Sequence, residues 1–85
     1  MSYSREENYI KAFGKNLAKI RKEKALTQEE LAFKVGVEYS QISRIERGII
    51  NTSISNVYKI ASTLDIHPKD LMDFDFENLP SSTRS

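Results

Sequence analysis

Apolar residues recur every three or four positions along most of this chain, which is the spacing of one face of an α-helix. In the first predicted helix this apolar stripe consists of Ile10, Phe13, Leu17 and Ile20. Ser4 and Glu7 have the spacing of a capping box at the start of this helix, and the stripe ends near Lys24. The pattern predicts helices along the chain and no strands.

A second, shorter helix is predicted between two local signals. Thr27 and Glu30 form another capping box, in which each residue satisfies a free backbone N–H of the other. Gly36 ends this helix, because glycine adopts the left-handed conformation at little cost. The residues expected to face inward are Leu31, Ala32 and Val35.

The third predicted helix covers residues 39–47, with Ile42 and Ile45 facing inward. Two short helices joined by a tight turn must cross steeply, and a small side chain such as Ala32 is needed where they approach each other. Each of these features is weak evidence alone. Their combination at these offsets in residues 28–47 is typical of a DNA-binding helix-turn-helix.

Two further helices complete the predicted fold. Ser53 or Thr52 caps the fourth helix, and His67 with Pro68 begins the fifth. The buried stripe of the fourth helix is predicted to consist of Ile54, Val57, Ile60, Ala61 and Leu64. In the fifth helix the expected inner residues are Leu71, Met72 and Phe74. Periodicity stops after Phe76.

The length and composition describe one small domain with few options for catalysis. The chain has 85 residues, of which 39% are hydrophobic and 29% are charged, as expected for a globular domain. It has no cysteine and one histidine, and that histidine is placed to cap a helix. We therefore expect no enzyme, metal or cofactor. The predicted division is an N-terminal arm with the start of the first helix (1–8), the helix-turn-helix domain (9–76) and a flexible tail (77–85).

The same arithmetic sets expectations about ligands and location. Eighty-five residues leave no room for a separate sensing domain, so we expect no small-molecule ligand. No apolar run approaches the roughly 20 residues that span a bilayer, and the N-terminus lacks the pattern of a signal peptide. We therefore expect no membrane association and a cytoplasmic protein that joins the nucleoid when it is bound to DNA.

The net charge of +1 hides an uneven distribution. Residues 1–50 hold ten Lys/Arg against seven Asp/Glu, whereas residues 51–85 hold three against five. Residues 11–24 alone hold six Lys/Arg and one Glu. Such a basic stretch fits either a solvated helix face or a side that faces nucleic acid.

The chain resembles the Xre/Cro-type regulators, which include the lambda-like phage repressors and the controller proteins of restriction-modification systems. The segments that carry the likeness are FGKNLAKIRKEKALTQEELAFKVG, ISRIERG and SISNVYKIASTLDIHPKDL. The resemblance implies an all-α, compact five-helix, lambda-repressor-like domain with the helix-turn-helix at helices 2 and 3. It also implies a transcriptional regulator that binds a palindromic or pseudopalindromic DNA operator as a homodimer. The alternative is a protein-interaction or antitoxin-like adaptor on the same fold, with DNA binding secondary.

The recognition helix of such a domain enters the major groove with its N-terminal end. The residues expected to contact bases are therefore Tyr39, Ser40, Ser43 and Arg44. Arg44 is preferred for direct readout because its guanidinium matches guanine O6 and N7, although pairing with a phosphate or an acid is the alternative. The residues expected to contact phosphates are Thr27, Gln28, Gln41 and Arg47.

The resemblance also implies structural roles and marks departures from the family. Arg21 and Glu46 occupy positions that form an ion pair between the first helix and the recognition helix. Candidate dimer-interface residues are Met72, Phe74, Phe76 and Leu79. Phe33 stands at an outward position, as a lone surface aromatic or as a partner contact. Isoleucines stand at positions 49–50, where the family often has basic residues. We expect these isoleucines to fold under the fourth helix.

Overall fold

The structure is a computed structural model that describes residues 5–75. These residues form five α-helices and no strand. The helices are α1 (Arg5–Glu23), α2 (Gln28–Val35), α3 (Tyr39–Glu46), α4 (Ile54–Leu64) and α5 (Pro68–Leu71). α1 packs against α3 and α5, α2 packs against α3 and α4, and α4 packs against α5. None of the helices in this part of the chain has the length and apolar composition required to cross a membrane.

Local side-chain contacts explain where the shorter helices begin and end. Thr27 Oγ1 accepts from the Glu30 N–H at 3.0 Å, and Glu30 Oε1 accepts from the Thr27 N–H at 2.8 Å, which confirms the capping box. Gly36 is left-handed with φ of 91°, as predicted for the end of α2. Of the two cap candidates for α4, Ser53 performs the role, and His67 caps α5. The predicted Ser4–Glu7 capping box lies outside the described residues.

The core lies where the apolar faces of all five helices meet. Leu17 of α1, Leu31 of α2 and Leu71 of α5 are fully buried. The other buried apolar residues are Phe13, Ala32, Ile42, Ile45, Ile60, Ala61 and Leu64. Helical periodicity therefore located most of the core, because each apolar stripe faces a neighbouring helix.

Two residues that the apolar stripes of α4 and α5 placed inside are exposed, and these predictions were wrong. Ile54 is 87% exposed because it is the first residue of α4, where the helix begins beyond the core. Met72 is 44% exposed because it is the C-cap residue of α5, one position past the single turn that buries Leu71. Phe74 is half-buried, and its ring lies 5.1 Å from that of Tyr9.

Two glycines allow α1 to approach the end of α3 closely. A Cβ at Gly14 would lie 2.6 Å from the carbonyl oxygen of Glu46, which is shorter than any normal contact. Gly48 follows α3 with φ of 73°, and a Cβ there would lie 2.7 Å from Lys11 Cα. The crossing of α1 and α3 therefore depends on two residues that lack a side chain.

Candidate functional site

α3 has one buried face and one face open to solvent. Ile42 and Ile45 are buried against the core, as predicted. On the other side the structure places the expected base-contacting residues along one strip, with three exposed and Ser43 half-buried: Tyr39, Ser40, Ser43 and Arg44. Residues four apart share a helix face, which explains why these side chains line up. The strip carries hydroxyls and a guanidinium, which are hydrogen-bonding groups suited to base edges.

A buried ion pair holds α3 against α1. Arg21 Nε donates to Glu46 Oε2 at 2.6 Å, and Arg21 Nη2 donates to Glu46 Oε1 at 3.0 Å. The third contact of the guanidinium is Nη1 to the carbonyl of Leu26 at 2.8 Å. The side chains of Arg21 and Glu46 are 9% and 5% exposed. This two-pronged geometry fixes the direction of α3 as well as its distance from α1.

The hydrogen bond from Arg21 to Glu46 also raises the pKa of the Arg21 guanidinium, although burial acts in the opposite direction. Arginine is charged at every pH at which proteins are studied. The pair is therefore an ionic contact between two charged side chains that are both buried in a thin core.

Gln28 joins this pair from a third helix. Its Nε2 donates to Glu46 Oε1 at 2.8 Å, so one carboxylate accepts from α1 and α2 at once. A primary amide carries two N–H donors, and this bond occupies one of them. The sequence predicted a phosphate contact for Gln28 and did not reveal this bond, since the two residues are 18 positions apart.

The other expected phosphate-contacting residues lie before α2, near the start of α3 and just after α3. Thr27 precedes α2, whose first backbone N–H groups point away from the helix, as they do in every α-helix. Gln41 is half-buried near the start of α3. Arg47 is exposed just after α3, and its Nε makes a long 3.4 Å contact with the carbonyl of Ser43.

The isoleucine pair after Gly48 divides into two environments. Ile50 is partly buried and packs against the core, as expected. Ile49 is 58% exposed, so the expectation that it folds under α4 was wrong. The two residues are consecutive in the loop between α3 and α4, yet only Ile50 reaches the core. Phe33, on the outward face of α2, is 87% exposed.

Two residues that support the site were missed by the sequence analysis. Asn16 is buried, and its Nδ2 donates to the carbonyls of Asp70 at 3.0 Å and Leu71 at 2.9 Å, which secures the short α5. A polar residue on the apolar face of α1 was an available signal for this role. Gly14 costs roughly 1 kcal/mol in a helix interior relative to alanine, and its presence there signalled a close helix approach.

The remaining predictions concern metal binding, the dimer-interface candidates and the tail. Between residues 5 and 75 no group of three His, Cys, Asp or Glu side chains is arranged to hold a metal ion. Met72 is exposed and Phe74 is half-buried, whereas Phe76 and Leu79 lie outside the described residues. The predicted tail at residues 77–85 also lies outside them.

Comparison with known proteins gives consistent matches. The profile of the helix-turn-helix family matches residues 17–71. Control protein C.BamHI from Bacillus amyloliquefaciens is 44% identical over 63 residues, which cover 73% of this chain and 78% of that protein. The HTH-type transcriptional regulator SinR from Bacillus subtilis (strain 168) is 39% identical over 61 residues, which cover 71% of this chain and 55% of SinR.

A solved structure agrees with these sequence relatives. The crystal structure of the restriction-modification controller protein C.AhdI from Aeromonas hydrophila matches with a TM-score of 0.72 at 42% identity. The match covers 73% of this chain and 94% of that chain. It extends the similarity from the sequence to the arrangement of the helices.

Proposed function

The chain belongs to the helix-turn-helix family of transcriptional regulators, and from that premise we propose that it reads a specific operator through α3. The resemblance to Xre/Cro-type regulators and the five-helix fold are confirmed by these relatives. The observation that carries the proposal is the division of α3 into a buried apolar face and an exposed polar face. An exposed helix face of this kind fits the width of the major groove of B-DNA.

In this proposal the exposed face of α3 contacts the bases. Arg44 pairs with guanine O6 and N7, a two-pronged contact that contributes about 1–3 kcal/mol of discrimination. Ser40 and Ser43 donate to base edges, and Tyr39 contacts a phosphate or a thymine methyl group. The base-contacting set is Tyr39, Ser40, Ser43 and Arg44.

Phosphate contacts hold α3 in register on the duplex. The start of α2 is a site for an anion, because its first backbone N–H groups are unpaired within the helix and the helix dipole is positive there. Thr27 and Gln28 lie at this point, and the second N–H of Gln28 reaches the phosphate while the first holds Glu46. Gln41 and Arg47 supply the remaining contacts.

The proposed assembly is a homodimer on a palindromic or pseudopalindromic operator. Two copies of α3 would occupy half-sites about 34–36 Å apart on one face of the duplex. Met72, Phe74, Phe76 and Leu79 are candidates for the dimer interface. Such a protein acts in the cytoplasm and at the nucleoid, without catalysis or a small-molecule ligand, and represses or activates according to where its operator lies. C.AhdI is a restriction-modification controller protein, and we propose a controller role of this class for the chain.

Selection of bound sites from a random DNA pool tests this function. We expect a two-fold symmetric consensus with half-sites one helical turn apart. The affinity for that site should fall linearly with the logarithm of the salt concentration, with a slope of about −0.9 for each phosphate contacted. No enriched sequence, or binding that does not respond to salt, would contradict the proposal.

A second candidate function rests on the exposure of Phe33. An aromatic ring that is 87% exposed on α2 is compatible with an adaptor or antitoxin-like protein that binds another protein there. In that case Phe33→Ala would abolish binding to the partner protein and leave DNA binding unchanged. The DNA selection above separates the two functions, because an adaptor whose DNA binding is secondary would enrich no two-fold symmetric operator.

A further inference from the structure

A groove of about 470 Å³ lies between α1 and the residues that follow α5. One wall consists of Ala12, Lys15, Asn16 and Lys19, and the other consists of Asp73, Phe74 and Asp75. We call it the charged groove. α1 contacts α3 through Gly14 and Arg21, and neither of these two residues lines the groove. The charged groove is therefore separate from the exposed face of α3.

Asn16 leaves one polar atom of the groove for a ligand. This residue is 9% exposed, and Nδ2 uses both of its N–H groups, which donate to the carbonyls of Asp70 at 3.0 Å and Leu71 at 2.9 Å. Among the described side chains, the buried polar atom without a partner is Thr52 Oγ1. Asn16 Oδ1 receives no hydrogen bond from the described residues either, so it must be open to solvent. A backbone N–H of a ligand is a suitable donor to this oxygen.

Four charged side chains line the groove, and their charges are unpaired. Lys15 and Lys19 lie one helical turn apart on α1, whereas Asp73 and Asp75 lie on the other wall. All four are exposed, and within the described part of the chain none of these side chains forms an ion pair or a hydrogen bond. Positive and negative charges are therefore carried by different walls, and both are available to a ligand.

This charge pattern selects the class of ligand. The aspartates repel phosphate groups, so the lysines of this groove do not serve a nucleic acid. Any ligand with charges of one sign would be repelled by one of the two walls. The groove therefore favours a ligand that carries both signs, with its anion beside the lysines and its cation beside the aspartates.

An extended peptide segment meets these requirements. Consecutive side chains of an extended chain point to opposite sides, so an acidic residue next to a basic one reaches both walls, and the backbone between them carries N–H donors. A cavity of about 150 Å³ holds a benzene molecule, so a groove of about 470 Å³ has room for about two or three residues. Ala12 and Phe74 offer apolar contacts to the methylene groups of such side chains.

We propose that the charged groove binds an extended segment of another protein, in which an acidic residue and a basic residue are adjacent. The acidic side chain pairs with Lys15 and Lys19. The basic side chain pairs with Asp73 and Asp75, and a backbone N–H of the segment donates to Asn16 Oδ1. Exposed ion pairs contribute little each, so one isolated segment binds with a dissociation constant on the order of a millimolar. This inference does not depend on the proposed operator binding, because no residue of α3 lines the groove.

Two-dimensional NMR of the backbone amides of the full chain, titrated with short peptides, tests the site. The probes are the acetylated and amidated tetrapeptides Ala-Glu-Lys-Ala and Ala-Lys-Glu-Ala, which place the two charges side by side in either order. At least one of them should bind saturably below about 10 mM and shift the signals of residues 12–19 and 73–75. Ala-Glu-Glu-Ala and Ala-Lys-Lys-Ala are the control peptides, and they should bind at least about threefold more weakly.

Two changes test the individual contacts with the tighter probe. Lys19→Glu should raise its dissociation constant at least about fivefold, because it replaces an attraction by a repulsion. Lys22→Glu is the matched control, since Lys22 is also an exposed lysine of α1 and does not line the groove, and it should leave the dissociation constant unchanged. N-methylation of the amide between Glu and Lys of the probe removes the donor to Asn16 and should weaken binding about threefold.

Three outcomes would overturn the site: no saturable binding of either mixed tetrapeptide, control peptides that bind as tightly as the mixed ones, or equal weakening by Lys19→Glu and Lys22→Glu. An N-methylated probe that binds as tightly as its parent would show that Asn16 accepts no hydrogen bond from the segment. Far-UV circular dichroism checks that both variants are folded, and the comparison of peptides on the parent chain decides the site without them.

Discussion

Two surfaces of this protein are open to solvent and differ in almost every physical respect. The outward face of α3 is polar, and the same helix carries Glu46, which is buried in an ion pair with Arg21. The surface that carries Tyr9, Ile54 and Met72 is apolar, and Ile54 and Met72 lie at the ends of helices. Water solvates the first surface well and the second poorly. A polar face can remain exposed to water until it binds a ligand, whereas burial of an apolar surface lowers the free energy.

The two surfaces also differ in how they are held. α3 is joined to α1 by two hydrogen bonds from Arg21 and to α2 by one from Gln28, all to the same carboxylate of Glu46. Base recognition requires fixed side-chain positions, and a network of this kind provides them. Ile54 and Met72, by contrast, stand at helix ends outside the packed core and are 87% and 44% exposed.

The largest expected effect comes from removing the support beneath α3. Glu46→Ala leaves Arg21 buried without its partner, so the free energy of unfolding should fall by about 3–5 kcal/mol in urea denaturation. Glu46→Gln keeps one of the two acceptor oxygens, so its free energy of unfolding should fall by less. A loss below about 1 kcal/mol for Glu46→Ala would show that the pair does not hold α3, and the contrast between the two surfaces would weaken.

An intermediate effect is expected on the polar face itself. Arg44→Ala should reduce affinity for the selected operator by about 1–3 kcal/mol and relax the preference at one base position, as measured by fluorescence anisotropy. Arg47→Ala is the control, because loss of a phosphate contact weakens all sequences alike and lowers the salt slope by about 0.9. If the Arg44 variant kept its full base preference, direct readout by Arg44 would be ruled out.

The smallest effect on the fold is expected when an exposed apolar residue is changed. Ile54→Ala should change the free energy of unfolding of the dilute monomer by no more than about 0.5 kcal/mol, because the side chain is 87% exposed. Ile60, in the same helix and fully buried, is the comparison, and Ile60→Ala should lose about 2–5 kcal/mol. Equal losses at the two sites would mean that Ile54 packs within its own chain and is not available to a partner.

Much of the fold was predictable because its causes are local. The boundaries of α2 follow from Thr27, Glu30 and Gly36, which act within a few positions of themselves. The outward and inward sides of α3 follow from helical spacing alone. The pairing of Arg21 with Glu46 came from the family resemblance, since no local rule links residues 25 positions apart.

The features that local rules missed depend on which elements meet. Ile54 continues the apolar spacing of α4, yet spacing assigns a residue to a face and does not say whether another element covers that face. Ile49 and Ile50 have the same chemistry and opposite environments. The sequence pattern around each of these isoleucines is compatible with either burial or exposure.

The sequence by itself determined the helices, their caps, the apolar core and the polar outward side of α3, because hydrogen bonding and periodicity act over three or four residues. Only the tertiary structure decided that Gly14 admits α3, that Asn16 holds α5 from 55 positions away and that Gln28 shares the carboxylate of Glu46. These contacts arise from the way the helices cross. The amount of core available to cover each apolar residue is likewise a property of the packed helices together, and it left Ile54 outside.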